Sequence, residues 1–132
     1  MSVLPHSAIE TFHLSGRMHQ TLASLDSGTY TLEVWRESLA AGTETLWYRY
    51  DCEAVFVICR GRGECRTPGH IRPFESHSTL VLESDAVHQL ANTGDEPLEF
   101  LAVLGMTPVA VRDTEGSLVR LPWNAQARRH AG

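Results

Sequence analysis

Lysine is absent from this 132-residue sequence, so all positive charge rests on eleven arginines, and these are scattered rather than gathered into a stripe. With a formal net charge of −5, that distribution argues against a nucleic-acid surface, which needs cations in rows to meet phosphates. No Cys-x-x-Cys pair is present. The cysteines, Cys52, Cys59 and Cys65, are odd in number and suggest free thiols in a reducing compartment rather than a disulfide framework or a structural zinc site. No basic region followed by an apolar run opens the chain, so no signal peptide is expected. The longest apolar run, Ala54–Cys59, is far too short to cross a bilayer. Amphipathic helices, low-complexity segments and solenoid repeats are also missing. These absences leave a single cytoplasmic domain with no membrane or nucleic-acid partner as the expectation.

What is present is a series of short strands. Glu10–Leu14 reads as an edge strand. Thr29–Leu39 alternates, with Tyr30, Leu32, Val34 and Arg36 on one face and Thr31, Glu33, Trp35 and Glu37 on the other. Thr43–Tyr50 is rich in Thr, Trp and Tyr. Ala54–Arg60 is almost continuously apolar, and Gly61-Arg62-Gly63 after it signals a hairpin. Glu64–Thr67, His70–Phe74, Thr79–Leu82, Ala86–Asn92 and Leu98–Leu104 follow. Val109–Asp113 and Ser117–Leu121 suggest a last hairpin around Glu115-Gly116. Many short strands at this spacing predict an all-β sandwich or barrel. The expected organisation is an N-terminal arm with edge strands over 1–28, a barrel over 29–123 and a flexible tail over 124–132. Free strand edges are a hazard, so a homodimer formed by edge-strand exchange is expected.

One stretch, Val81–Asn92, organises the functional reading. Alternation places His88, Leu90 and Asn92 on one side and Val87, Gln89 and Ala91 on the other. His88 is either a core histidine bonded to a carbonyl or a pocket histidine. Glu53, before the apolar strand, is either a solvated rim charge or an inward group. Facing His88, it would orient the imidazole and raise its pKa, forming an acid/base couple. Tyr48 and Tyr50 share a face opposite Trp47 and Arg49, and their hydroxyls could line a cavity. Arg36, if inward, needs an anion such as Glu53 or a substrate carboxylate. Arg112 is either a carboxylate clamp or half of a rim salt bridge. Cys52 and Cys59 read as buried small hydrophobes, and His77 as an exposed turn residue.

Gly42–Gly63 resembles the first cupin motif, and Val81–Asn92 followed by Asn92–Pro97 resembles the second. The resemblance runs over residues 29–105 and implies a cupin-type double-stranded β-helix, the jelly-roll barrel, with a pocket inside. The histidine positions of the first motif hold Tyr48 and Tyr50, and its glutamate position holds Ala54, beside Glu53. Within the cupins the chain resembles the ectoine synthases most, through Gly42-Thr43-Glu44-Thr45, Tyr48-Arg49, Glu53-Ala54-Val55-Phe56 and Glu115-Gly116-Ser117. Those enzymes close a ring by eliminating water from an N-acetylated diamino acid, using iron held by a glutamate, a tyrosine and a histidine.

Carried over, the resemblance implies Glu53 and His88 as metal ligands and Tyr48 as a pocket tyrosine. The ligand tyrosine falls on Leu80 and the pocket histidine on Arg112, while an early arginine and threonine fall on Leu22 and Glu37. Iron therefore has an incomplete ligand set, and metal-free chemistry stands beside it. The expected function is a lyase or cyclase on a small polar metabolite, with His88, Glu53 and Tyr48 catalytic and Tyr50, Arg36, Trp47 and Arg112 binding substrate. The alternatives are a non-catalytic binding cupin and an iron-dependent oxygenase.

Overall fold

Alternating burial along Glu33–Leu39 sets the frame of the molecule: Glu33, Trp35, Glu37 and Leu39 are buried, while Val34, Arg36 and Ser38 are half-buried on the other side. In the computed structural model, which describes residues 1–124, this strand is β3 of eleven. The others are β1 (Phe12–Leu14), β2 (Arg17–Ala23), β4 (Arg49–Tyr50), β5 (Ala54–Arg60), β6 (Arg62–Thr67), β7 (His70–Glu75), β8 (Thr79–Leu82), β9 (Gln89–Asn92), β10 (Leu98–Leu104) and β11 (Val111–Arg112). One six-stranded sheet runs β1-β2-β3-β10-β5-β8 and another of three strands runs β7-β6-β9, with β11-β4 as a short third piece. All pairings are antiparallel. This is the all-β jelly roll expected, with the core between the sheets. Apart from Asn124, the expected tail lies outside the described residues.

Three expectations are corrected. Arg36 does not face inward; the inner face of β3 carries Trp35 and Leu39, whose bulk fills the core. Both faces of this stretch hold apolar residues, so alternation gave the period without the side. Gly61 does not close a hairpin, because β5 and β6 belong to different sheets. It is a corner at φ +85°, where a Cβ would meet the Pro97 carbonyl oxygen at 2.7 Å. Cys59 points out of β5 and is exposed, whereas Cys52 and Cys65 are buried; all are free thiols.

Other elements shift in extent. Thr43–Tyr50 is extended, but only Arg49–Tyr50 is a regular strand; the rest docks through isolated bridges Glu44↔Ala91 and Tyr48↔His88. The expected last hairpin reduces to β11 and a bridge Arg112↔Leu118. Edge strands were expected over 1–28, but only Glu10–Leu14 was placed; the second is β2. It lies along β3 with Arg17 opposite Leu39 and His19 opposite Glu37, and both Arg17 and His19 are buried. No helix among the described residues is long and apolar enough to cross a membrane.

Candidate functional site

The two cupin-like stretches meet as backbone partners. Tyr48 N–H donates to the His88 carbonyl and His88 N–H to the Tyr48 carbonyl, both at 2.9 Å. This bridge fixes Tyr48, and two residues on, Tyr50, on the same inward side. Both tyrosines and His88 are buried. The His88 ring centroid lies 5.0 Å from Tyr50 and 5.8 Å from Phe56. Its Nδ1 sits 3.0 Å from the Ala86 carbonyl, which can only accept, so Nδ1 carries the proton and Nε2 is left as an acceptor. Burial pushes the imidazole pKa down against the Ala86 hydrogen bond, and nearby Arg17 adds to the fall. His88 is therefore a neutral ring inside the barrel.

The charged centre of the interior is a pair that sequence reasoning missed. Arg17 on β2 grips Glu37 on β3 with Nε to Oε2 at 2.5 Å and Nη2 to Oε1 at 2.7 Å. Glu37 is 1% exposed and Arg17 7%. Burial alone would raise the Glu37 carboxyl; the Arg17 charge, with His19 beside it, outweighs that and pulls it down to about 2. Arg17 is likewise held above its ordinary value by Glu37, against the cost of burial. Its Nη1 donates to the Tyr48 hydroxyl at 3.3 Å. His19 Nδ1 is 3.3 Å from Glu37, while its Nε2 pairs with Thr21 at 2.7 Å. Burial keeps the His19 pKa low despite Glu37. Trp123 closes this side, stacked on His19 at 4.1 Å and 11° and under the Arg17 guanidinium at 4.9 Å. The only sequence signal for this cluster was Glu33 and Glu37 flanking Trp35 on one strand face.

Arg17, Glu37, Tyr48, Tyr50 and His88 line an interior cavity of ≈ 10 Å³, about the volume that one water centre needs. A larger concavity of ≈ 760 Å³ opens between β7 and β8, lined among others by Arg72, Phe74, Leu80 and Leu82. It lies between the outer strands of two different sheets and is not lined by His88 or the tyrosines. The buried ionic and hydroxyl groups make the interior the candidate site.

The remaining candidates lie elsewhere. Glu53 is exposed, its backbone carbonyl bonded to Gly105 N–H, and it is not among the residues around His88. The expected Glu53–His88 couple is thus not formed: Ala54, Phe56 and Ile58 take the inward positions of β5, and alternation turns Glu53 away from Ala54. Trp47 is half-buried on the side opposite the tyrosines. Arg112 makes a rim pair with Asp51, at 2.8 and 3.0 Å, and its hydrogen bonds hold the Asp51 carboxyl below its usual range. His77 is exposed in a turn at φ +66°.

The donor set does not fit a metal. Among the described residues no group of three or more His, Cys, Asp or Glu side chains is placed to hold one. Both Glu37 oxygens are engaged by Arg17, and His88 can offer only Nε2.

Comparison with known proteins agrees with this architecture. The polyketide cyclase RemF from Streptomyces resistomycificus superposes with a TM-score of 0.72 at 12% identity, covering 98% of this chain and 93% of that one. By sequence, the chain is 34% identical over 114 residues to Auxin-binding protein T85 of Nicotiana tabacum, covering 77% of this chain and 61% of that protein. It is also 34% identical over 82 residues to L-ectoine synthase of Shouchella clausii (strain KSM-K16), covering 60% of each. The chain therefore spans about three fifths of the length of these curated relatives. The family model described as auxin binding protein matches residues 1–118, so this chain, a cupin by fold, belongs to the auxin-binding-protein family.

Proposed function

We propose that this chain is a non-catalytic small-molecule-binding cupin that takes a compact organic acid into the barrel interior, with Arg17 as the anion anchor. The observation that carries this reading is the buried Arg17–Glu37 pair beside the interior cavity. A buried ion pair adds little net stability over apolar packing, so its presence at the centre of a barrel points to another use. A guanidinium has five N–H donors. Glu37 and Tyr48 take three of them, leaving two for a carboxylate. His88 Nε2 and the neutral Tyr50 hydroxyl, its pKa pushed up by burial, stand ready for the ligand's polar hydrogens. The aromatic rings around them suit a planar ligand body. The present cavity is smaller than any such ligand, so binding moves its walls apart.

The relatives' name supplies the first probe. Calorimetric titration with auxin, an aromatic carboxylic acid, and with its neutral amide is expected to show carboxylate binding weakened by about tenfold or more in the amide. Arg17→Met should abolish that difference. If neither auxin nor a panel of other small organic acids produces heat or shifts the melting temperature, the reading fails.

A ring-closing lyase is the second reading, and the match to L-ectoine synthase supports it. Without a Glu53–His88 couple, His88 and the tyrosines would have to supply the proton transfers. Turnover of an N-acetylated diamino acid by the purified protein, lost in His88→Ala, would replace the binding reading with this one.

A further inference from the structure

The gap between the outer edges of β7 and β8 sorts its charges in a way that a bare sheet edge does not require. Among the described residues β7 pairs only with β6 and β8 only with β5, so each leaves one edge open. Alternation gives these strands an inner and an outer face. Phe74 and Leu82 are buried, which marks the inner set as Cys65 on β6, His70, Arg72 and Phe74 on β7, and Leu80 and Leu82 on β8. All six line the concavity of ≈ 760 Å³. Its floor is apolar, since Cys65, Phe74 and Leu82 are buried and Leu80 is half-buried. His70 and Arg72 are exposed at its lip.

The acids near this gap lie on other faces. Glu64 alternates to the outer face of β6, where Arg66 holds it. Glu75 reaches the concavity only at the end where Ser76–Ser78 connect the two strands, and it stands opposite Arg62 on β6. Glu83 is exposed just beyond β8 and does not line the concavity. Arg72 makes no ion pair with these acids or with any other described residue. An inward charge on an edge strand guards against pairing with another chain, but either sign would serve that end, and it needs no apolar floor. We propose that the concavity is a second ligand site, for one anionic amphiphile: a linear medium-chain carboxylate with its headgroup on Arg72 and His70 and its chain along Phe74, Leu80 and Leu82. The volume falls within the range of small-molecule pockets, and a guanidinium meets a carboxylate with two parallel N–H groups. The four residues of β8 make the trough about 13 Å long. Strands wall it on both sides, which suits a single free chain rather than a membrane plane. None of the six residues lines the interior cavity, so this site stands apart from the one anchored by Arg17.

Calorimetric titration of the full chain with hexanoate, octanoate and decanoate, each below its micelle-forming concentration, tests this. One molecule per chain is expected, with the dissociation constant falling about two- to fourfold for each added methylene. Octanol, which has no charge, should bind about tenfold more weakly than octanoate. Arg72→Gln should weaken octanoate by about tenfold and leave octanol unchanged. Leu80→Trp, which fills the trough, should weaken both, with circular dichroism showing the fold intact. Replacing Arg17 and Glu37 together by Met and Leu removes the interior anchor and should leave octanoate binding as it was. The proposal is overturned if none of the acids binds. It is also overturned if binding ignores Arg72→Gln but is lost with the interior pair, which would place the chain inside the barrel. Binding to anionic phospholipid vesicles without binding of the free acids would overturn it too, by making the lip a membrane contact.

Discussion

The two faces of the six-stranded sheet sort their residues against habit. Inside, β2 and β3 place Arg17, His19, Glu33 and Glu37 beside Trp35 and Leu39, all buried. Outside, the same sheet shows rows of valine and leucine. Alternation therefore gives the period of a strand but not the sign of its faces. What decides the sign is compensation. Glu37 tolerates burial because Arg17 arrives from the next strand, and Glu33 because Trp35 Nε1 donates to it at 2.8 Å and the Thr107 hydroxyl does so at the same distance.

The strongest way to break this comparison is to remove one inner partner. Glu37→Ala leaves the Arg17 charge buried alone and should cost about 3–5 kcal/mol in urea unfolding. Replacing the pair together, with Arg17→Met and Glu37→Leu, should recover most of that loss while ending any carboxylate binding. A double variant no more stable than Glu37→Ala would show that the pair does more than balance itself.

Acid should sharpen the comparison next. The folded Glu37 carboxyl is held at about 2 against an ordinary 4.5, so its contribution is present above pH 4.5 and lost as pH falls toward 2. His19 and His88 are also held below their ordinary 6.5, neutral when folded. The unfolded chain takes up their protons first, so stability begins to fall as pH drops below about 6.5. Denaturation midpoints against pH should show both windows, and Glu37→Gln should erase the lower one while lowering the His19 pKa further, since Glu37 now holds it up.

Smaller effects belong to the rim and the outer face. Arg112→Ala breaks an exposed pair with Asp51 and should change stability by at most about 1 kcal/mol, with ligand binding intact. Val34→Thr on the outer face should change the free energy of urea unfolding by no more than about 0.5 kcal/mol. A large loss there would mean the outer row packs against this same chain.

Much of the fold was legible. Strand periods, the break between Glu64–Thr67 and His70–Phe74, and the two cupin-like stretches all found their places, because they depend on neighbours a few residues away. Tyr48, Tyr50 and His88 were legible as neighbours in the interior for the same reason, being tied to those stretches. Glu53 was misread because its motif position said nothing about a one-residue change of side at Ala54. Arg17 and Glu37 were invisible as a pair, since twenty residues separate them and nothing local links an arginine in one polar stretch to a glutamate in the next.

By itself, then, the order of residues determined most of the strands and the sharp break in the chain at Gly61, since these arise from short-range backbone preference and alternation. The jelly-roll order was implied by the resemblance to cupins. Only the assembled barrel decided which face of each strand went inside, which charges met there and which thiol stayed outside. Those choices depend on what stands opposite each residue across the sheet, and an ionic group can be buried only where its counter-charge has already been brought.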